Sequence, residues 1–300
     1  MATSLPFSTN EAPLSPFDVG WRVSEDITMR ASLLFLLLPT SLARPEWAAA
    51  QQKSFAYAPG VARYKVTTVQ HRQQIMGGGR APFDFDVTTN QWVALTITPV
   101  ARDTLKLSFT VDSVAVTSNL DAPPPDLAVY RGRKLDGTMS PQGRVYAFAP
   151  ARGDTNPAIT QLYSAYSRFL VPVRVPALAK GVTWADTSIA RRTGGKYEIT
   201  TTTVTTYRVT GDTTIAGRHA WRVELASTIA HQGKGSEAGQ PLYVTGGGTS
   251  TGVHFLSDQG VFLGSQSSQR TEIQERMNES EGTPIEQTFK STVELLSANH

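Results

Sequence analysis

The sequence contains no cysteine. That removes disulfide staples, thiolate zinc sites and a thiol nucleophile together. Histidine is scarce: His71, His219, His231, His254 and His300 are the whole set. No pair has the i, i+4 helical spacing of a metal site and no H-E-x-x-H occurs, so no metal is expected. The apolar run Ala31–Leu38 falls far short of the roughly 20 residues that span a bilayer as a helix. Charge of one sign is not concentrated either, with a formal net charge of +3. The densest basic group, Arg131, Arg133 and Lys134, is small and lacks interleaved aromatics, so nucleic acid is not an expected partner. Gly77–Gly79 and Gly246–Gly248 lack the lysine and the strand-to-helix context of a phosphate loop, and no cofactor is implied.

The pattern of an export signal occurs at an unusual place. Met29 and Arg30 form a short positive flank, Ala31–Leu38 the apolar stretch, and Ala48–Ala50 a small-residue cleavage site. The order predicts a signal peptide over residues 29–50, with 1–28 as an extension ahead of the true start. The working chain then begins at Gln51 and is periplasmic or secreted. A cleavage after Ala43 is an alternative. No cysteine follows the run, so a lipid-modified N-terminus is excluded.

Residues 51–300 read as strand after strand. Phe83, Phe85 and Val87 alternate with Asp84, Asp86 and Thr88, the period of a half-buried strand. Tyr64–Gln73, Trp92–Val100 and Leu105–Val116 behave alike, and further strands are expected at Ala128–Leu135 and Arg144–Ala149. Three successive prolines, Pro123–Pro125, break the pattern. Tyr197–Thr210, His219–Ala230, Leu242–Thr245, Val253–Leu256, Val261–Glu275 and Gln287–Leu296 continue it, with a loop tip over His231–Gln240 and a glycine-rich turn at Gly246–Gly248. One helix is expected, over Asn156–Leu170. Asn156 caps it, Pro157 takes its first position, and Ile159, Leu162, Tyr163, Tyr166, Phe169 and Leu170 form one apolar stripe. The predicted architecture is mainly β: a curved antiparallel sheet or half-barrel of about ten to twelve strands with one packed helix, in a single domain whose halves join near 119–126 and 150–180.

Chemistry-bearing motifs are sparse. Gly248–Gly252 fits G-x-S-x-G, but valine and threonine flank it where a nucleophile elbow needs a helix. Asp84 and Asp86 share a strand face, as ordinary solvent-facing residues do. If the chain were a hydrolase, Ser250, Asp84, Asp86, Asp186 and His254 would carry it.

Three segments carry a resemblance: Gly181–Thr187 (GVTWADT), Tyr207–Gly211 (YRVTG) and Ile215–Trp221 (IAGRHAW). Over roughly residues 170–275 the chain resembles uncharacterised exported bacterial β-rich proteins, in which a G-x-x-W-x-D segment precedes two long strands. Its layout is also similar to periplasmic lipoprotein carriers and related half-barrels. That resemblance implies a sheet wrapped round a helix, holding an acyl chain in an apolar hollow. The expected ligand is a lipid or other apolar molecule, lined here by Trp92, Leu162, Tyr163, Tyr166, Phe169 and Trp221, with peripheral contact to the cell envelope. The alternatives are an outer-membrane β-barrel and an exported hydrolase.

Overall fold

The computed structural model describes residues 54–74, 83–120, 127–150, 166, 168–194, 197–237, 239–277 and 282–299. Their alternating, β-branched and threonine-rich runs form β1 (Gly60–Gln74), β2 (Phe83–Ala101), β3 (Thr104–Ser118), β4 (Lys134–Met139) and β5 (Val145–Pro150). After a long crossover come β6 (Thr183–Gly194), β7 (Tyr197–Ile215), β8 (Arg218–Glu237), β9 (Gln240–Ser257), β10 (Phe262–Met277) and β11 (Thr283–Asn299).

All eleven strands belong to one antiparallel sheet, in the order β5-β4-β3-β2-β1-β11-β10-β9-β8-β7-β6. The sheet is curled but not closed, with β5 and β6 as its edges. The first half of the chain steps outward to β5. The second half begins at the far edge and steps back until β11 pairs with β1, from Val61 opposite Asn299 to Gln74 opposite Ile285.

Side-chain alternation sorts the sheet into two faces. Tyr64, Val93, Leu95, Phe109, Val209 and Val223 point inward and are buried. Their intervening neighbours, among them Lys65, Ser108, Arg208 and Glu224, point outward. The inner face is covered at one end by the β5–β6 crossover. Tyr166, Phe169, Leu170, Val171 and Val173 of that segment pack into the same apolar cluster as the strands. Phe169 meets Tyr64, Phe109 and Phe262 edge-on at 5.1–5.2 Å. Fully burying such a ring contributes about 2–3 kcal/mol.

The sheet confirms the mainly β, antiparallel expectation, and four local expectations change. Residues 151–165, most of the predicted helix, lie outside the described residues. Tyr166 is helical, and the predicted end, Arg168–Leu170, is turn and bend. Ala128–Leu135 is not a strand; Leu127–Tyr130 is a short 3-10 turn and the strand starts at Lys134. The predicted loop tip over His231–Gln240 is mostly strand, since β8 runs to Glu237 and β9 starts at Gln240.

The fourth change concerns Gly246–Gly248, which lies inside β9 and makes no turn. Close approach explains it. A Cβ on Gly246 would stand 2.2 Å from the Glu272 carbonyl oxygen, and one on Gly248 2.1 Å from that of Arg270. Both glycines are on the inner face, so their missing side chains let β9 and β10 coil tightly.

Candidate functional site

The apolar face offers little room. The void beside Tyr57, Tyr64, Leu95, Leu170 and Phe262 is about 10 Å³, enough for one water at most. Tyr166 stacks on Phe109 at 4.9 Å and its hydroxyl donates to the Gln91 side-chain carbonyl. The crossover is clamped by Tyr57, whose hydroxyl donates to the Val171 carbonyl and accepts from the Val171 N–H, both at 3.0 Å. Trp184 Nε1 adds a bond to the Pro172 carbonyl at 2.8 Å. Burial pushes the Tyr57, Tyr64 and Tyr166 hydroxyls far above the ordinary tyrosine range, and that of Tyr207 up to about 12. They are neutral packing groups at physiological pH.

The six residues expected to line an apolar site separate. Tyr166 and Phe169 meet in the core. Trp221 is half-buried at its margin, with His219 edge-on at 5.4 Å. Trp92 is on the opposite face, because Gln91 and Val93 on either side of it point inward. Leu162 and Tyr163 lie outside the described residues.

The candidate hydrolytic groups also fail to converge. Ser250 and His254 are four residues apart on one strand, about 13 Å at strand rise. Burial lowers the His254 imidazole to about 4, and its Nδ1 has no hydrogen-bond partner among the described residues. Asp186 is ion-paired to Arg174. Asp84 and Asp86 are on the outward face, 3.4 and 3.1 Å from His71 Nδ1. A second exposed cluster places His219 between Asp258 (2.6 Å) and Asp212 (3.2 Å), each on a different ring nitrogen. Among the described residues no group of His, Asp or Glu is arranged to hold a metal ion.

The accessible concavity is elsewhere. On the outward face, β7–β11 form an open trough of about 870 Å³. Strand register builds it from two adjacent rows. Thr206, Ala226, Thr251, Ser268 and Lys290 stand opposite one another across the five strands. Arg208, Glu224, Val253, Gln266 and Thr292 do the same one step along. Small side chains keep the middle low, and the backbone of Gly252, Ser267 and Ser291 forms the floor between the rows. Arg222 enters at one side, donating to Thr210 Oγ1 at 2.9 Å and to the Glu224 carboxylate. Among the described residues Arg208 and Lys290 pair with no carboxylate. The trough therefore holds three cations against one anion, amid hydroxyls, an amide and the apolar side chains of Ala226 and Val253. Sequence reading missed these residues; the only signal was their polarity at alternate, outward positions.

Comparison with protein-family models and with curated proteins returns no match. Among solved structures, DynF from the dynemicin biosynthesis pathway of Micromonospora chersina aligns over 85% of this chain and 92% of its own, at 8% identity and a TM-score of 0.23. An outer membrane channel from Pseudomonas putida F1 aligns over 85% of this chain and 100% of its own, at 12% identity and a TM-score of 0.18. Agreement at that level establishes neither a shared fold nor a shared activity. The chain is β-rich, as the sequence resemblance implied, and no match assigns it to a family.

Proposed function

We propose that this is an exported, non-enzymatic binding protein whose ligand site is the polar trough on β7–β11. One observation carries the reading: the chain's own crossover fills the apolar end of the sheet, while a trough of about 870 Å³ lies open beside Arg208, Arg222 and Lys290. Ligand sites combine a preformed concavity with a few fixed polar groups, and a hydrogen-bonded sheet supplies both. Export is supported by the flank, apolar stretch and small-residue site of residues 29–50.

The apolar-ligand reading remains a second proposal, favoured by the crossover itself. Tyr166 and Phe169–Val173 cover the apolar face on which the half-barrel reading expects an acyl chain. A lipid would have to displace that strap from Tyr57 and then contact Trp221 at the margin. The membrane-barrel reading meets the charges of the outward face. Lys65, Asp86, Lys106, Arg208, Arg270 and Lys290 are spread along it, and a lipid-facing Arg or Lys costs about 2–4 kcal/mol at the bilayer midplane.

The test is native mass spectrometry of the exported protein, purified without detergent from a bacterial periplasm, beside Ser268→Trp. The substitution fills the trough floor and leaves the inner face unchanged. Supporting results are a bound polar molecule, or stabilisation by added polar ligands, that Ser268→Trp abolishes. A lipid-sized mass released on denaturation and insensitive to Ser268→Trp would overturn the trough in favour of the strap. Retention in salt-washed membranes would overturn both.

A further inference from the structure

We infer that the trough takes a hydroxyl-rich polymer with sparse negative charge: an acidic glycan chain whose carboxylates meet Arg208 and Lys290. The inference rests on the trough being the ligand site and adds the chemistry of its occupant.

Charge spacing argues first. Arg208 is on β7 and Lys290 on β11, four strand spacings apart, which is about 19 Å. Arg222, between them, is already engaged by Glu224. Arg208 and Lys290, one on each side of the trough, pair with no carboxylate among the described residues, and Glu224, opposite Arg208 on β8, is engaged by Arg222. A nucleic acid carries a phosphate on every nucleotide and would set several of them against Glu224. It would also want aromatic platforms among the cations, and the trough contains none. A chain with occasional carboxylates separated by neutral units matches better.

The lining argues second. Between the cations stand Thr206, Thr251, Ser268, Gln266 and Thr292, all able to donate and accept hydrogen bonds. Leu225, Ala226 and Val253 add apolar surface among them. Hydroxyls and an amide at a shallow, water-accessible surface suit a ligand that is itself hydroxylated, with ordered water bridging the remaining gaps.

Continuity argues third. The outward face continues past β11 onto β1 and β2. Thr67 stands opposite both Thr292 and Asn90, and Thr67 Oγ1 bonds Asn90 Oδ1 at 2.9 Å. Trp92 follows on the same face of β2, half-buried, with Lys65 opposite. From β7 to β2 is six strand spacings, about 29 Å. A ring stacked on Trp92 would extend the same chain beyond the trough.

The experiment is calorimetric titration of the full-length protein with three probes: oligogalacturonate, a neutral maltooligosaccharide of equal length, and single-stranded oligothymidylate. We expect oligogalacturonate to bind best and to weaken several-fold between 50 mM and 300 mM salt. Arg208→Gln and Lys290→Gln should each weaken it at least fivefold. Glu224→Gln, which frees Arg222, should strengthen it about threefold. Trp92→Ala should weaken long oligomers and leave short ones unchanged. Equal binding of the neutral oligomer, indifferent to both cation substitutions but abolished by Ser268→Trp, would overturn the acidic ligand and leave the trough standing. Tighter oligothymidylate binding, sensitive to the same substitutions, would overturn the glycan class. Binding of oligogalacturonate that survives Ser268→Trp, or no binding by any probe, would overturn the inference outright.

Discussion

Tyr57→Phe isolates how the crossover is held to the sheet. The Tyr57 hydroxyl serves both polar groups of one residue, giving its proton to the Val171 carbonyl and taking the Val171 N–H proton, each at 3.0 Å. Tyr57 is 3% exposed and Val171 2%, so water does not replace a lost bond directly. Deleting the oxygen leaves a buried N–H and a buried carbonyl without partners, at roughly 1–3 kcal/mol each. The expected loss is about 2–6 kcal/mol. The adjoining void of about 10 Å³ could admit one water, which would hold the loss near the lower figure. Tyr64→Phe is the internal control. It is 1% exposed, and its hydroxyl donates a single bond, to the Phe262 carbonyl at 2.9 Å, so about 1–2 kcal/mol is expected. Urea unfolding followed by tryptophan fluorescence reads both, as a lower midpoint at unchanged slope. A Tyr57→Phe loss equal to or smaller than that of Tyr64→Phe would refute the double-bond reasoning.

Gly143→Ala attacks the same clamp from the other side. Its φ is +87°, and a Cβ would lie 2.5 Å from the Tyr57 ring and 2.7 Å from the Val171 carbonyl oxygen, so a loss above about 2 kcal/mol is expected in the same assay. Gly248→Ala should lower the midpoint comparably by forcing β9 from β10, and a neutral result would contradict the close approach at 2.1 Å. Acid should destabilise the fold through His254. Its folded value is about 4 against 6.5 unfolded, so only the unfolded chain gains the proton between those values. Stability therefore falls as pH drops from 6.5 to 4, by up to about 1.4 kcal/mol per pH unit, and His254→Gln should flatten that limb. Alkali acts oppositely on Tyr57, Tyr64, Tyr166 and Tyr207, whose folded values are raised. Their contribution is intact below about pH 10 and is lost progressively above it, so the urea midpoint should fall steeply there, less so in Tyr57→Phe.

Local pattern made much of the sheet legible. In β3, Leu105, Leu107, Phe109 and Val111 alternate with polar residues, and the structure buries that set. Each strand carries its own two faces because side chains alternate along it, so strand identity and inward residues can be read one segment at a time. Phe169 belongs to an apolar stripe at helical spacing in the sequence; the structure buries it on a backbone that bends there. The glycines of β9 misled because glycine in sequence signals freedom, whereas their role is to leave room for the Glu272 and Arg270 carbonyls of a neighbouring strand. Trp92 is among the expected lining residues, but the buried Gln91 and Val93 on either side of it turn it to the opposite face.

What the sequence determined by itself was the mainly β class, the strand periodicity and the absence of any cysteine chemistry. The tertiary structure alone decided that β1 pairs with β11, a partnership between residues as distant as Val61 and Asn299. It alone assembled the trough, whose cations come from β7, β8 and β11 and are aligned only by strand register. The physical reason is range. Alternation is a local property of each strand, while register and strand order are set by hydrogen bonds between segments far apart in the chain.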